Sequence, residues 1–170
     1  MRIISIVVLV ITASALALTQ VKTRGANEET QAARETTNMR KQAKATFDIK
    51  SWDEKPYNEM EGAPKLTRAS ITKWYQGDVE GEGKLEYLMM YRTAGSANFM
   101  GLERITGSIG GRSGSFVLQH IGTFEDGVAK VKLSVIPGSG TGDLRGMTGE
   151  GGFSVGHQPP YALTLDYGFE

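Results

Sequence analysis

The stretch Gly110–Phe153 reads GGRSGSFVLQHIGTFEDGVAKVKLSVIPGSGTGDLRGMTGEGGF, and its punctuation decides the fold. Short runs of alternating apolar and polar residues are interrupted every few positions by glycine, the signature of strands joined by tight turns. Asp126-Gly127 is the firmest entry. An Asp-Gly pair between alternating runs favours a two-residue type I′ hairpin turn. Folding the chain there sets Glu125 opposite Val128, Phe124 opposite Ala129, Gly122 opposite Val131, His120 opposite Leu133 and Leu118 opposite Val135. One face then carries Phe116, Leu118, His120, Phe124, Ala129, Val131, Leu133 and Val135, and the other carries Gln119, Ile121, Thr123, Lys130, Lys132 and Ser134. A slip of one residue would invert the whole set, so His120 is expected inside and Gln119 outside.

Outward from that hairpin the same period of two continues. It predicts strands near Ala45–Trp52, Leu66–Val79, Lys84–Arg92, Asn98–Ile109, Ser115–Phe124, Val128–Ile136, Gly152–Val155 and Tyr161–Phe169. Eight strands with hairpin-length links and no convincing helix between them argue for an all-β, antiparallel, mostly up-and-down barrel. In the hairpin around Thr93–Ala97, pairing Glu86 with Arg104 sets opposite charges across the strands, worth a few tenths of a kcal/mol. The neighbouring register would oppose Glu86 and Glu103. The first choice puts Leu85, Tyr87, Met89, Tyr91, Phe99, Gly101, Glu103 and Ile105 on one face, with Glu103 nearly opposite Tyr87 and Arg104 outward. Joining the two hairpins through Gly110–Gly114 places Glu103 opposite Gly122 and His120 next to Ile105. The expected result is an inward trio of Tyr87, Glu103 and His120.

Composition excludes several classes of function. Lys+Arg and Asp+Glu number 19 each among 170 residues, so the formal net charge is zero and no basic excess exists to neutralise a nucleic acid. Cysteine is absent, which removes disulfides, thiolate nucleophiles, cysteine-ligated metals and a lipid-modified cysteine after a leader. Residues 1–17 carry Arg2, an apolar run and Ala15-Leu16-Ala17, the pattern of a cleaved secretory signal. Export to the periplasm or medium is expected, the alternative being an uncleaved N-terminal anchor. Residues 18–44 are polar and without a sustained apolar stripe, as in a flexible linker. One β domain is expected over 45–170.

Several chemical motifs fail on inspection. Gly107–Gly114 lacks the Gly-Lys-Ser/Thr ending and the following helix of a phosphate loop, so turn chemistry explains it. His120 and His157 are the only histidines, and no ligand spacing accompanies them, so neither a metal nor a cofactor is expected. No Gly-x-Ser-x-Gly elbow is present. Glu80-Gly81-Glu82-Gly83 reads as a solvated hairpin tip, and Trp52, Trp74 and Tyr75 as core or subunit-contact positions.

A family resemblance rests on longer strings: Phe47–Glu54, Leu66–Ser70, Gly81-Glu82-Gly83 with Glu86-Tyr87-Leu88, Gly101–Arg104, Gly114–His120, Gly122–Gly127 and Pro137–Gly142. Together they resemble the bacterial family catalogued as domain of unknown function 3224, over about residues 45–170. That resemblance implies a calycin-like, often oligomeric barrel similar to allene oxide cyclase and dirigent proteins, and no catalytic residues. Gly140–Gly146 is similar to the glycine–small–glycine turn of those relatives, with Leu144 placed to plug the barrel end.

Three functional readings follow. The first is a binding module for a small, mostly apolar molecule, with Tyr87, Met89, Glu103, Phe116, Leu118, His120 and Leu133 as lumen candidates. The second is a cyclase- or isomerase-like enzyme in which Glu103, His120 and Tyr87 move a proton. The third is a homo-oligomeric scaffold with a filled core.

Overall fold

A computed structural model describes Arg40–Glu170. The signal segment expected over residues 1–17, and the linker as far as residue 39, lie outside the described residues. Eight strands follow in order: β1 (Lys41–Asn58), β2 (Lys65–Gly77), β3 (Val79–Thr93), β4 (Ser96–Ile109), β5 (Arg112–Glu125), β6 (Val128–Val135), β7 (Met147–Val155) and β8 (Tyr161–Phe169), with a 3₁₀ turn at Gly142–Leu144 between β6 and β7. Each strand pairs antiparallel with the next and β1 pairs with β8, so the sheet closes as an up-and-down barrel. Lys41–Lys44, expected as the end of the linker, belong to β1, where Ala43 faces the core at 1% exposure.

The β5–β6 hairpin takes the expected register at every pair from Leu118↔Val135 to Glu125↔Val128. Asp126 and Gly127 have φ of 50° and 78°, the left-handed geometry that a type I′ turn requires at both central residues. His120 is buried and Gln119 exposed.

Two other registers differ from expectation. Glu86 stands opposite Leu102, and Arg104 opposite Lys84, because Ala94-Gly95 closes β3–β4 as a two-residue turn beside an irregularity at Arg92. Glu86 finds its cation on the other side, with Arg68 Nε at 2.8 Å and Ser70 Oγ at 2.7 Å. Gly110-Gly111 likewise forms a two-residue turn, with φ of 56° and 80°, so Glu103 lies opposite Leu118 and His120 opposite Gly101. Both shifts are even-numbered, so every side chain keeps its expected face.

Glu80–Gly83 is not a hairpin tip but the beginning of β3, paired with both β2 and β4. The turn sits at Asp78 instead. Of the bulky pair in β2, Tyr75 is buried and Trp74 points outward, about half exposed.

The two ends of the barrel differ. At one end Val79, Ile105, Ile109, Phe116, Met147 and Leu165 fill the interior, and Leu144 is fully buried among them as the expected plug. At the other end the wall opens around a cup. β1 bulges between Ile49 and Ser51, which switches the parity of the strand and turns Trp52 and Glu54 toward the interior side. Because β8 supplies both seams that close the cylinder, deleting Leu163–Glu170 should abolish cooperative urea unfolding. A retained sigmoidal transition with an unchanged m-value would show that the barrel does not need its last strand.

Candidate functional site

The polar interior is built on inward glycines. In one row across the wall, Tyr87 (β3), Gly101 (β4) and His120 (β5) stand side by side. Gly101 has no side chain, and a Cβ there would lie 2.6 Å from the Tyr87 ring. The phenol therefore crosses over it and reaches His120 Nδ1 at 2.9 Å. A neighbouring row contains Lys73 (β2), Gly83 (β3) and Ile105 (β4). The Glu103 carboxylate occupies the space that a Gly83 Cβ would fill, with the Tyr75 ring 2.8 Å from that point.

Glu103, on β4, is fully buried and draws its contacts from two other strands, β2 and β5. Lys73 Nζ donates to Oε2 at 3.0 Å, and the Tyr75 hydroxyl donates to Oε1 at 2.9 Å. His120 Nε2 also lies 2.9 Å from Oε2, yet off the line of a hydrogen bond, so this approach is an electrostatic contact rather than an aligned donor. An unprotonated Nε2 would set a lone pair against the carboxylate. The favourable tautomer therefore carries its proton on Nε2 and accepts from the Tyr87 hydroxyl at Nδ1.

The electrostatics follow from burial and pairing. Burial alone would raise the Glu103 carboxyl, but the Lys73 ammonium and the His120 imidazole outweigh it and hold the group at about 2. Burial pushes the Lys73 ammonium and the His120 imidazole down, against the opposing pull of Glu103. Burial and the nearby carboxylate push the Tyr75 and Tyr87 phenols up. The cluster is thus built on a Glu103–Lys73 ion pair at 3.0 Å, beside an imidazole and two phenols that burial holds toward their neutral forms.

Above the cluster opens a cup of about 450 Å³. Phe47, Trp52, Phe99, Phe124, Phe153 and Tyr161 give it aromatic walls, and Lys73, Tyr87 and Met89 also line it. The Lys73 ammonium lies 4.6 Å from the Phe47 ring centre and 5.6 Å from that of Phe153, within range of cation–π attraction. At the rim Glu54 accepts from Thr67 Oγ1 and the Tyr91 hydroxyl, each at 2.7 Å, and from Trp52 Nε1 at 3.0 Å.

Of the seven residues expected to line the lumen, Tyr87 and Met89 border the cup. Glu103 and His120 lie in the buried cluster, and Phe116, Leu118 and Leu133 are packed into the core. Tyr87, Glu103 and His120 are brought together as expected, though by a different register. Sequence reading missed Lys73 and Tyr75 as members of the cluster. The signal was present: Ala69, Ile71 and Tyr75 alternate on one face of β2, and that alternation carries Lys73 inward with them.

Two outcomes check this arrangement. Gly83→Ala should destabilise the barrel by about 1–3 kcal/mol through overpacking, because its Cβ overlaps Glu103 Oε1. Gly95→Ala, at a turn with open space around it, is the control expected to be near neutral; equal urea midpoints for the two variants would refute the account. Stability should also fall with acid. The unfolded imidazole binds its proton at about pH 6.5 while buried His120 resists it, so the loss begins as pH drops below that value. Glu103 adds a second loss between its unfolded value of about 4.3 and its folded value of about 2. Urea midpoints measured from about pH 8 to about pH 3 should show both steps, and His120→Gln should remove the upper one.

Comparison with known proteins agrees with the architecture. Residues 43–167 match the family model described as "Protein of unknown function (DUF3224)". The crystal structure at 1.84 Å of a protein of unknown function from the DUF3224 family of Shewanella oneidensis MR-1 is similar, with 29% identity and a TM-score of 0.67. The alignment covers 78% of this chain and 99% of that one. No curated protein sequence matches the chain. The chain belongs to the DUF3224 family.

Proposed function

We propose that this protein binds a small, mostly apolar molecule in the open end of its barrel. The observation that carries the reading is the aromatic-walled cup of about 450 Å³, within the range of ligand pockets, about 300–1,000 Å³. Its walls are mostly apolar, with few polar groups, the composition that favours transfer of an apolar ligand out of water.

The cluster beneath supports binding over proton transfer. A general base works best with a pKa near the operating pH, whereas Glu103 is held at about 2. Its carboxylate already accepts from Lys73 and Tyr75, and Glu103 and His120 are both fully buried. The acid–base reading would require that ion pair to be dismantled in each cycle. The apolar N-terminal segment supports export as the setting, with N-terminal sequencing of the mature chain as its check.

A neutral solvatochromic probe, Nile red, tests the binding reading. It should bind with a blue-shifted emission, and Ala129→Trp, which places an indole in the cup, should weaken binding at least about tenfold. Ile121→Lys, on the exposed outer wall, should leave the affinity unchanged. Binding that survives Ala129→Trp and is lost in Ile121→Lys would place the probe on the outside and sink the proposal.

A further inference from the structure

Lys73 is the charged side chain that both belongs to the buried cluster and lines the cup. Its residue is 3% exposed, so its ammonium has surrendered nearly all contact with bulk water. An ammonium has three donors, and among the described residues the recorded acceptor is Glu103 Oε2. The rings of Phe47, Tyr75 and Phe153 lie around it, at 4.6, 6.0 and 5.6 Å to their centres. A buried cation with one hydrogen-bond acceptor, set in the lining of an apolar cavity, is a donor awaiting an oxygen.

Charge balance selects the kind of oxygen. Lys73 and Glu103 cancel, and the imidazole and the phenols are neutral. A carboxylate or phosphate would add a negative charge without a countercharge, and burying an unpaired charge costs far more than one hydrogen bond returns. A neutral carbonyl oxygen accepts from the ammonium and leaves the balance intact.

We infer that the cup takes a neutral, mostly apolar carbonyl compound whose oxygen accepts a hydrogen bond from Lys73. This rests on the lumen-binding reading and names the ligand class within it. Glu103 is then a positioning residue: it holds Lys73 charged and turned to the floor of the cup, and Gly83 makes room for the carboxylate that does so.

Three probes of one shape separate the possibilities by displacement of Nile red: benzylacetone, isopentylbenzene and hydrocinnamate, respectively a ketone, its hydrocarbon analogue and its carboxylate analogue. Benzylacetone should bind about tenfold or more tightly than each of the others, as expected for a hydrogen bond to a charged donor. The paired substitution Lys73→Met with Glu103→Gln should bring benzylacetone down to the affinity of isopentylbenzene, leaving the hydrocarbon unchanged. A measurement on the unaltered chain stands beside it: the carbon-13 carbonyl resonance of labelled benzylacetone should move downfield on binding. Equal affinity for ketone and hydrocarbon, or an unshifted carbonyl, overturns the inference while leaving apolar binding in place. Tightest binding of hydrocinnamate overturns the neutral-ligand class. Failure of all three probes overturns the lumen-binding reading itself.

Discussion

A carboxylate buried without water must be surrounded by donors, and Glu103 imposes that requirement on much of the barrel wall. Its partners come from β2 (Lys73 and Tyr75) and β5 (His120), and His120 is in turn held by Tyr87 of β3. Four consecutive strands are therefore cross-linked through one anion. A buried ion pair of this kind is weak evidence for stability, since well-packed apolar residues of similar volume often do as well or better. Nor does closure of the barrel demand it, because backbone pairing joins each strand to the next and β8 back to β1. The cluster therefore invites an explanation in recognition.

The inward glycines make the cluster possible. A barrel of eight strands is just wide enough for its side chains to fill it, and a polar network needs room for side chains to lie across the wall. Gly83 admits the Glu103 carboxylate, Gly101 admits the Tyr87 ring, and Gly122 seats Phe99, whose ring lies 2.5 Å from where a Cβ would be. Each glycine opposes, on a neighbouring strand or diagonally, a large side chain that takes its place. The interior thus combines dense packing near Leu144 with an open aromatic cup at the opposite end.

The sequence revealed faces more reliably than partners, for a physical reason. Facing depends only on parity, which alternation states directly: His120, Glu103 and Tyr87 inward, Gln119 and Arg104 outward. Partnership depends on loop length, and a glycine-rich link such as Gly110–Gly114 is compatible with several lengths of the same parity. Glu86 shows how weak the remaining signal is. A cross-strand charge pair worth a few tenths of a kcal/mol could be made with Arg104 or Arg68, and turn geometry chose Arg68. Gly81 and Gly83 read as a turn because glycine is the commonest turn residue; in the strand Gly81 uses its backbone freedom, at φ 137°, and Gly83 its lack of a side chain. Lys73 was legible from its apolar neighbours on β2, but a lysine on a strand is ordinarily solvated, and only the position of Glu103 on β4, reached over Gly83 of β3, explains its burial.

Depth within the barrel also bears on the proposed binding reading. The acid and the imidazole lie behind the cup, and what reaches the cavity from the cluster is the Lys73 ammonium and the Tyr87 ring. Glu103 and Lys73 meet as an ion pair at 3.0 Å, and the nearby ammonium holds the carboxyl down against the pull of burial. Such a pair turns the positive end of a dipole to the cavity, and in the proposed reading that end orients a ligand without exchanging protons with it. In the proposed reading the aromatic walls supply affinity and one donor supplies direction, the division of labour expected of a pocket that holds a molecule by a single polar end.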